Sequence, residues 1–302
     1  MPEGSVPSPV EPPTAGTAPM EMHRFDRPDD LRKLREFLAE SDPRDYLLED
    51  LEEWTRDGRL WAGVEGGRWI SFGRLSDLGH AEGWVSALRV ARSRRGQGVG
   101  SRFLRGLISD ARSIGISELR AVIEDGNSAS RRLFARHGFR PVFEMALRRA
   151  RAGRGPALPL RRARPGDPLG GPVGWVPSLS GRVDVLPGSE GGRFGRWDPN
   201  LLSRWAEEGK LYVGPGLAVA VQVDWWREPR TLWVNPIRGE PDSIFPAISL
   251  LADTLGHEEW QAFLPSTEPL RQVYTRLGLS PHADWGDRVH LYERVGSTSD
   301  PI

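Results

Sequence analysis

The sequence predicts an α+β fold in which mixed, mostly antiparallel sheets are flanked by helices. Leucines recur at helix spacing in some segments, whereas apolar residues alternate or run together over strand lengths in others. The elements are ordered as helices, antiparallel strands and then strand–loop–helix–strand–helix, which contains one parallel crossover. With 302 residues the chain can form two domains. Its formal net charge of zero gives no reason to expect nucleic acid or a membrane surface as a partner.

Local signals place the elements that precede the crossover. They are helices at residues 29–38 and 45–55 and strands at 60–64, 69–75 and 83–90. Asp29 or Asp30 is placed to cap the first helix, and Gly66-Gly67 favours a hairpin turn between the first two strands. Their order predicts an antiparallel layer that leads into the crossover.

The crossover itself is expected as a helix at 100–113, a strand at 119–124 and a second, short helix. Gly115 is placed to end the first helix as a C-terminal cap. Asn127 can cap the second helix, and Gly138 ends it.

The second half of the chain repeats features of the first. Trp54-x3-Gly58-Arg59-Leu60 recurs as Trp205-x3-Gly209-Lys210-Leu211, Ser130-Arg131-x2-Phe134 aligns with Leu270-Arg271-x2-Tyr274, and the strand with Trp84 corresponds to one with Trp233. Three matches in the same order indicate a duplicated domain. An Arg-, Gly- and Pro-rich stretch over 149–165 is typical of a linker. We therefore expect a Pro-rich disordered tail at 1–20, domains at 21–150 and 166–302, and a linker at 151–165.

The composition excludes several kinds of chemistry. Because the sequence has no cysteine, disulfides, thiolate metal sites and thiol nucleophiles are ruled out. The six histidines show no ligand spacing, so no metal is expected. The N-terminal tail has neither a basic nor an apolar region of the kind found in signal peptides, which favours a cytoplasmic protein.

The loop between the strand at 83–90 and the following helix has the features of a phosphate site. It contains Arg95-Gly96-Gln97-Gly98-Val99-Gly100, preceded by Arg92 and Arg94. Glycines allow positive φ and close approach of a ligand. Uncovered N–H groups and the positive end of the helix dipole can then bind a pyrophosphate.

Other interpretations of this loop are weaker. A flexible turn with solvated arginines would explain the composition but not the ordered strand and helix around it. A dinucleotide site needs a third glycine, and Ser101 stands there instead, although Glu118 or Glu124 could supply the acidic residue. A P-loop needs Gly-Lys-Ser/Thr, which is absent.

Two motifs resemble those of the GNAT family (Gcn5-related N-acetyltransferases). Arg95-x-x-Gly98-x-Gly100 after a strand ending in Leu88-Arg89-Val90 resembles the family's acetyl-CoA motif. Residues 127–139, from Asn127 through Phe134 to Gly138, resemble its later signature. The resemblance covers residues 22–150, and the remainder only as a degenerate second copy without the glycine loop.

The resemblance implies two tandem GNAT-like domains, each an α/β three-layer sandwich with a splayed sheet. It implies acetyl-CoA as co-substrate, with backbone groups of the strand pairing with the pantetheine arm and the loop binding the pyrophosphate. The implied cofactor-binding residues are Leu88, Arg89, Val90, Arg95, Gly96, Gln97, Gly98, Val99, Gly100, Ser101, Asn127 and Phe134.

The implied reaction is direct transfer of acetyl to a primary amine. Backbone N–H groups near Arg89 or Val90 are the expected oxyanion donors. Glu82 is the candidate base, although a charged residue at an exposed strand end would look the same. His80, Glu124, Asp125 and Glu144 remain alternatives. Where many family members have a tyrosine that protonates the thiolate, this sequence has Phe134, so a water would have to serve.

The acceptor and the role of the second half stay open at this stage. An acidic helix surface suits a cationic small-molecule or peptide amine but is equally explained by solvation; its residues are Asp45, Glu49, Asp50, Glu52 and Glu53. The chain after Phe139 is short for a final hairpin, so we expect the second half to complete the first half's sheet or groove. A monomer or homodimer is expected. A non-catalytic acyl-CoA-binding or regulatory protein is the alternative function.

Overall fold

The computed structural model describes residues 19–25, 29–49, 51, 60–153, 159–164, 166–167, 185–187, 194–196, 199–222, 230–283, 285–286 and 288–296. The first half contains, in order, β1 (Glu21–Arg24), α1 (Asp30–Ser41), a 3-10 turn (Tyr46–Glu49), β2 (Leu60–Glu65), β3 (Arg68–Gly79), β4 (Glu82–Val90), a 3-10 turn (Arg92–Arg94), α2 (Val99–Ser113), β5 (Glu118–Glu124), α3 (Ser128–Arg136) and β6 (Arg140–Arg151). No helix among these described ranges, or in the described part of the second half, is long and apolar enough to cross a membrane.

The second half contains β7 (Arg161–Arg162), β8 (Val185–Pro187), β9 (Phe194–Arg196), α4 (Pro199–Glu207), β10 (Leu211–Gly214), β11 (Leu217–Gln222), β12 (Thr231–Arg238), α5 (Pro241–Thr254), β13 (Glu259–Pro265), α6 (Glu268–Arg276), β14 (Ser280–Pro281) and β15 (Val289–Val295). The order β10-β11-β12-α5-β13-α6 repeats the order β2-β3-β4-α2-β5-α3 of the first half. Apart from the β8–β9 ribbon, the described strands form one 13-stranded sheet, so the predicted mixed α+β architecture is confirmed.

Local signals in the first half placed its elements well. The β2–β3 hairpin turns through Gly66 and Gly67, both at positive φ, as a tight turn between twisted strands requires. Gly115 ends α2, and Asn127 caps α3 by accepting a hydrogen bond from the N–H of Ser130 at 3.1 Å. These predictions are therefore confirmed.

The parallel pair β4–β5 opens along its length, as predicted for a splayed sheet. Glu82–Trp84 pairs with Glu118–Arg120, but β4 continues to Val90 and β5 to Glu124 with no further pairing between these two fully described strands. The gap between the diverging strands opens toward the start of α2, where the glycine loop lies. The pair β12–β13 is built the same way, with Thr231–Trp233 paired to Glu259–Gln261.

The two halves exchange strands across the centre of the sheet. The local strand order is β5-β15-β6-β13, so the C-terminal strand β15 lies between β5 and β6 of the first half. In return, β6 pairs along 145–151 with β13 of the second half. The prediction that the second half completes the first half's sheet is confirmed, and each half depends on a strand from the other.

Some predictions for individual elements need correction. The start of the Arg-rich stretch at 149–165 is not linker, because Arg149–Arg151 belong to β6, and Arg161–Arg162 form β7, which pairs with β10. Two of these arginines have partners on a neighbouring strand, which composition alone cannot reveal: Arg149 contacts Glu259 at 3.3 Å, and Arg162 donates to the hydroxyl of Tyr212 at 3.2 Å. A helix was expected at 45–55. The structure describes a 3-10 turn over Tyr46–Glu49 and a helical Leu51 in this range, and residues 50 and 52–55 lie outside the described residues.

The predicted acidic cap of α1 is also wrong in detail. Asp29 occupies the N-cap position, but its carboxylate binds Arg32 at 2.8 Å and makes no capping hydrogen bond. Asp30 is buried and binds the imidazole of His23 at 2.9 Å. The carboxylate of Asp29 therefore binds a side chain and does not cap the helix, and the carboxylate of Asp30 forms an ion pair with His23.

Candidate active site

Strand β4 carries a bulge where the gap beside β5 is open. Phe72 of β3 pairs with Arg89 and Arg74 with Ser86, so Ala87 and Leu88 lie opposite the single residue between them. Ala87 has φ of 55°, which an L-residue rarely adopts. Such a bulge turns backbone groups out of the ladder. The half-buried backbone of Leu88, Arg89 and Val90 is thereby placed at the edge that faces the gap.

The glycine loop leads directly into α2. Gly96 and Gly98 have φ of 76° and 73°, and a Cβ added at either would meet no atom within 4 Å. Gly98 is the N-cap of α2, which begins at Val99, and no side chain caps this end. The first N–H groups of the 15-residue helix, including those of Gly100 and Ser101, are therefore left for a ligand.

The loop arginines have different environments. Arg94 forms an ion pair with Glu65 of β2, so its charge stabilises the fold. Arg95 is exposed and donates from Nε to the carbonyl of Val90 at 3.3 Å, and Gln97 donates to the carbonyl of Ser93 at 2.9 Å. Arg92 is exposed beside them. The loop thus keeps positive charge at its surface next to the helix N-terminus.

The later motif lies at the same, open end of the gap. Asn127 follows β5 and starts α3, where it is exposed and uses its side-chain oxygen as the cap. Its amide nitrogen remains a possible donor, because an asparagine side chain has two donor hydrogens besides the oxygen. The structure therefore places Asn127 at the open end of β5, across the gap from the bulge in β4.

Phe134 is a core residue. Its ring is 4 % exposed and packs edge-on against Phe139 at 4.8 Å. The corresponding Tyr274 in the second half is fully buried, and its hydroxyl donates to the carbonyl of Pro265 at 2.8 Å. Burial raises the pKa of Tyr274. Tyr274 is therefore also a core residue.

Glu82 is not an exposed strand-end residue. It is 1 % exposed, and its Oε1 accepts from Nη1 of Arg120 at 2.7 Å. Its other oxygen faces Gly195 of β9, where an added Cβ would lie 3.6 Å away. The structure thus holds the candidate base in an ion pair, covered by a strand of the second half.

Arg120 binds carboxylates from three strands. Besides Glu82 of β4 it donates to Glu118 of β5 and to Glu293 of β15, each at 2.9 Å. Burial alone would lower the pKa of Arg120, but Glu82 and Glu293 outweigh it and the pKa is raised. Arg120 is also the last residue of β5 paired with β4, so this network lies at the closed end of the gap. This network was not predicted from the sequence, although an arginine inside the apolar run Leu119–Ile123 was a signal.

The alternative bases are placed less favourably. His80 lies in the tight turn between β3 and β4, at the closed end of the gap. The hydrogen bond from His290, assisted by Arg288 and Arg131, lowers the pKa of Asp125, which makes it a weaker base. Glu124 is exposed, and Glu144 lies 3.8 Å from Arg271.

The acidic surface expected for an amine is only partly visible. The side chain of Asp45 is nearly buried. Its carboxylate accepts from Nε and Nη2 of Arg89, at 2.6 and 3.3 Å. This pair anchors the first 3-10 turn to β4 and is not available to a substrate. The other four acidic residues of that surface lie outside the described residues or have side chains that do.

The second half lacks a comparable cradle. Strand β12 ends at Arg238 and α5 begins at Pro241, which leaves only Gly239-Glu240 between them. A Cβ at Gly239 would lie 2.5 Å from Leu217, so side chains fill this junction. Glu240 is the N-cap, and Asp242 pairs with Arg276 at 2.8 Å. The residues fit a pyrophosphate in the first half and not in the second.

The described residues contain no group of three or more His, Asp or Glu side chains that could hold a metal ion. The site is thus described by its backbone geometry and its charged side chains.

Comparisons with known proteins agree with this geometry. Residues 28–139 match the model of the acetyltransferase (GNAT) family. A GCN5-related N-acetyltransferase from Sphaerobacter thermophilus is similar in structure, with a TM-score of 0.56, 15 % identity, and coverage of 93 % of this chain and 98 % of that chain. A search of curated protein sequences finds no significant match.

A second structure is similar over most of this chain. It contains the GCN5-related glucosamine N-acetyltransferase region of a fungal multi-domain β-N-acetylglucosaminidase, with a TM-score of 0.61 and 13 % identity. The match covers 94 % of this chain and 39 % of that one. At such identities the structures establish the shared fold alone, and the family match identifies a GNAT acetyltransferase domain at residues 28–139 of the chain.

Proposed function

We propose that the first half binds acetyl-CoA and transfers its acetyl group to a primary amine. The observation that carries the proposal is the gap between β4 and β5, with the bulge at Ala87 on one side and the left-handed Gly98 before α2 at its end. The bulged backbone would pair with the pantetheine arm, and the N–H groups from Arg95 to Ser101 would bind the pyrophosphate.

The chemistry proposed is a direct attack. The amine nitrogen bonds to the thioester carbonyl carbon, the carbon–sulfur bond breaks, and CoA leaves as the thiolate. The amine loses one proton to a base. Backbone N–H groups near Arg89 and Val90 would stabilise the oxyanion, and water would protonate the thiolate because Phe134 cannot. Glu82 remains the proposed base.

A second candidate is a non-catalytic acyl-CoA-binding protein. The burial of Glu82 against Arg120 favours it, because a base must accept a proton from the reacting amine or from a water beside it. The absence of a proton donor at Phe134 favours it further. Both candidates share the same cofactor site and differ only in the acceptor step.

The acceptor is proposed to approach the sheet face opposite α2. Trp84 of β4 lies on that face and packs against Phe194 of β9 at 6.1 Å. Phe263 of β13 packs against Phe194 in turn, at 5.8 Å. This contact supports the proposal that the second half, which lacks its own cofactor site, forms one wall of the acceptor groove of the first half.

Thiol release tests the proposal. The full chain is incubated with acetyl-CoA and a panel of amines, and free thiol is measured with a chromogenic disulfide. Because the protein has no cysteine, every thiol detected comes from CoA. Saturable, amine-dependent release supports transfer. Saturable CoA binding without amine-dependent release supports the binding protein, and no CoA binding at all overturns both.

The role of Glu82 is tested by Glu82→Gln, which keeps an acceptor for Arg120. If Glu82 is the base, kcat falls by about 10²-fold or more while the affinity for CoA stays unchanged. An unchanged kcat would assign proton removal to water or to another residue. Glu259→Gln, which changes a partly exposed carboxylate at the start of β13 in the second half, is the control.

A further inference from the structure

A histidine lies beside the first turn of α2, and the reaction as proposed does not use it. The Nε2 atom of His137 lies 2.7 Å from the hydroxyl of Ser101. His137 is the C-cap of α3, and its carbonyl accepts from Nε of Arg294 in β15 at 3.0 Å. His137 is thus held at the end of α3 by two contacts: its ring binds Ser101 at the start of α2, and its backbone carbonyl binds Arg294 of β15.

The charges around this imidazole are positive. Burial lowers the pKa of His137, and Arg105 of α2 and Arg294 of β15 lower it further. These two arginines, from the two elements packed against the ring, are the charged groups that act on it within the described part of the chain. Without an anion nearby, the ring is therefore neutral near physiological pH.

The hydroxyl of Ser101 has a single proton to donate. When the ring is neutral, either the hydroxyl donates to Nε2 or Nε2–H donates to the hydroxyl. If the hydroxyl turns its proton to an anion at the start of α2, the short contact is kept when Nε2 carries hydrogen, either in the neutral Nε2–H tautomer or in the doubly protonated ring. An anion also offsets the repulsion from Arg105 and Arg294, which favours the doubly protonated ring.

We propose that the Ser101–His137 pair is part of the anion site at the start of α2, and that His137 takes up a proton from solvent when a pyrophosphate binds there. The inference rests on the proposed function, because it assumes that the first half binds the CoA pyrophosphate. It adds a side-chain pair to a site otherwise made of backbone groups. Affinity for the anion then rises as the pH falls through the range in which His137 titrates.

Isothermal titration with dephospho-CoA tests the proposal. This probe keeps the pyrophosphate but lacks the 3′-phosphate, whose own titration near pH 6 would hide the effect. Titrations at pH 6 in two buffers of different ionisation enthalpy give the number of protons taken up. We expect net uptake by the full chain, and an affinity about three- to ten-fold higher at pH 5.5 than at pH 7.5.

Variants distinguish proton uptake by His137 from a purely structural role of this residue. His137→Gln keeps a polar partner for Ser101 but cannot titrate, so proton uptake and the pH dependence are expected to vanish while binding persists. Ser101→Ala is expected to reduce both. His257→Gln, in the second half, should leave both unchanged. A structural role for His137 would weaken binding equally at every pH.

The outcomes are distinct. Binding of dephospho-CoA without proton uptake, or with the same uptake in His137→Gln, overturns this inference and leaves the proposed function standing. Absence of binding at every pH overturns the proposed function itself.

Discussion

Replacing Arg120 by methionine should destabilise the protein strongly, because it leaves Glu82, Glu118 and Glu293 together without their shared cation. At about 4 Å and an effective dielectric constant near 20, each pair contributes on the order of 4 kcal/mol of attraction. Desolvation offsets much of this, and breaking a buried pair by removing one partner costs about 3–5 kcal/mol. Arg120, Glu82 and Glu293 are each at most 5 % exposed, so little solvent screening applies. The expected fall in Tm is about 10 °C.

Urea unfolding followed by tryptophan fluorescence measures the effect. Glu259→Gln is the control, because its ion pair with Arg149 is about one-third exposed and should contribute less than about 1 kcal/mol. Adding Glu293→Gln to wild type should destabilise the protein, whereas adding it to Arg120→Met should restore part of the loss. The reasoning is refuted if Arg120→Met costs no more than the control, or if Glu293→Gln has the same effect in both backgrounds.

Three further predictions concern the exchanged strand β15 and the buried residues Tyr274 and Phe134, which occupy corresponding positions in the two halves. A chain ending at residue 288 should fail to unfold cooperatively in circular dichroism, because β5 and β6 lose the strand between them; a monodisperse, cooperative fragment would contradict the exchange. Tyr274→Phe should cost about 1 kcal/mol in denaturant unfolding without altering CoA affinity; weaker CoA binding would contradict its packing role. Phe134→Tyr should leave the thiol-release rate unchanged; a higher rate would show that the position reaches the thiolate.

Local patterns in the sequence predicted most of the first half. The Gly66-Gly67 turn, the Asn127 cap and the glycine loop each depend on residues close in sequence, so their geometry follows from local chemistry. The splayed pair of strands came from the family resemblance. These features together form the candidate cofactor site, whose backbone geometry could therefore be predicted from the sequence.

The network around Arg120 could not be predicted in the same way. Arg120 and Glu293 are 173 positions apart, and they meet only because β15 pairs with β5. The pairing register decides which side chains share a face, and a shift of one residue would separate them. Glu82 was therefore identified as a candidate base, whereas the partner that constrains it was missed.

The same limit applies to the domain boundaries. Composition suggested a linker from Arg149, but a strand there is stabilised by long-range pairing with β13. Runs of arginine resemble linker sequence until their acidic partners are known, as with Arg149 and Glu259. The duplicated order of elements was visible in the sequence, whereas the exchange of strands was suggested only by the short chain after Phe139.

The loop before α2 is proposed to hold one CoA per chain, and calorimetric titration of the full chain with CoA measures this stoichiometry. We expect one CoA bound per chain, lost in Gly98→Val and retained in Gly216→Val. Both glycines have φ near 70° and open surroundings, so backbone strain is matched and only the ligand site differs. No binding, two CoA per chain, or unchanged binding in Gly98→Val would contradict the claim.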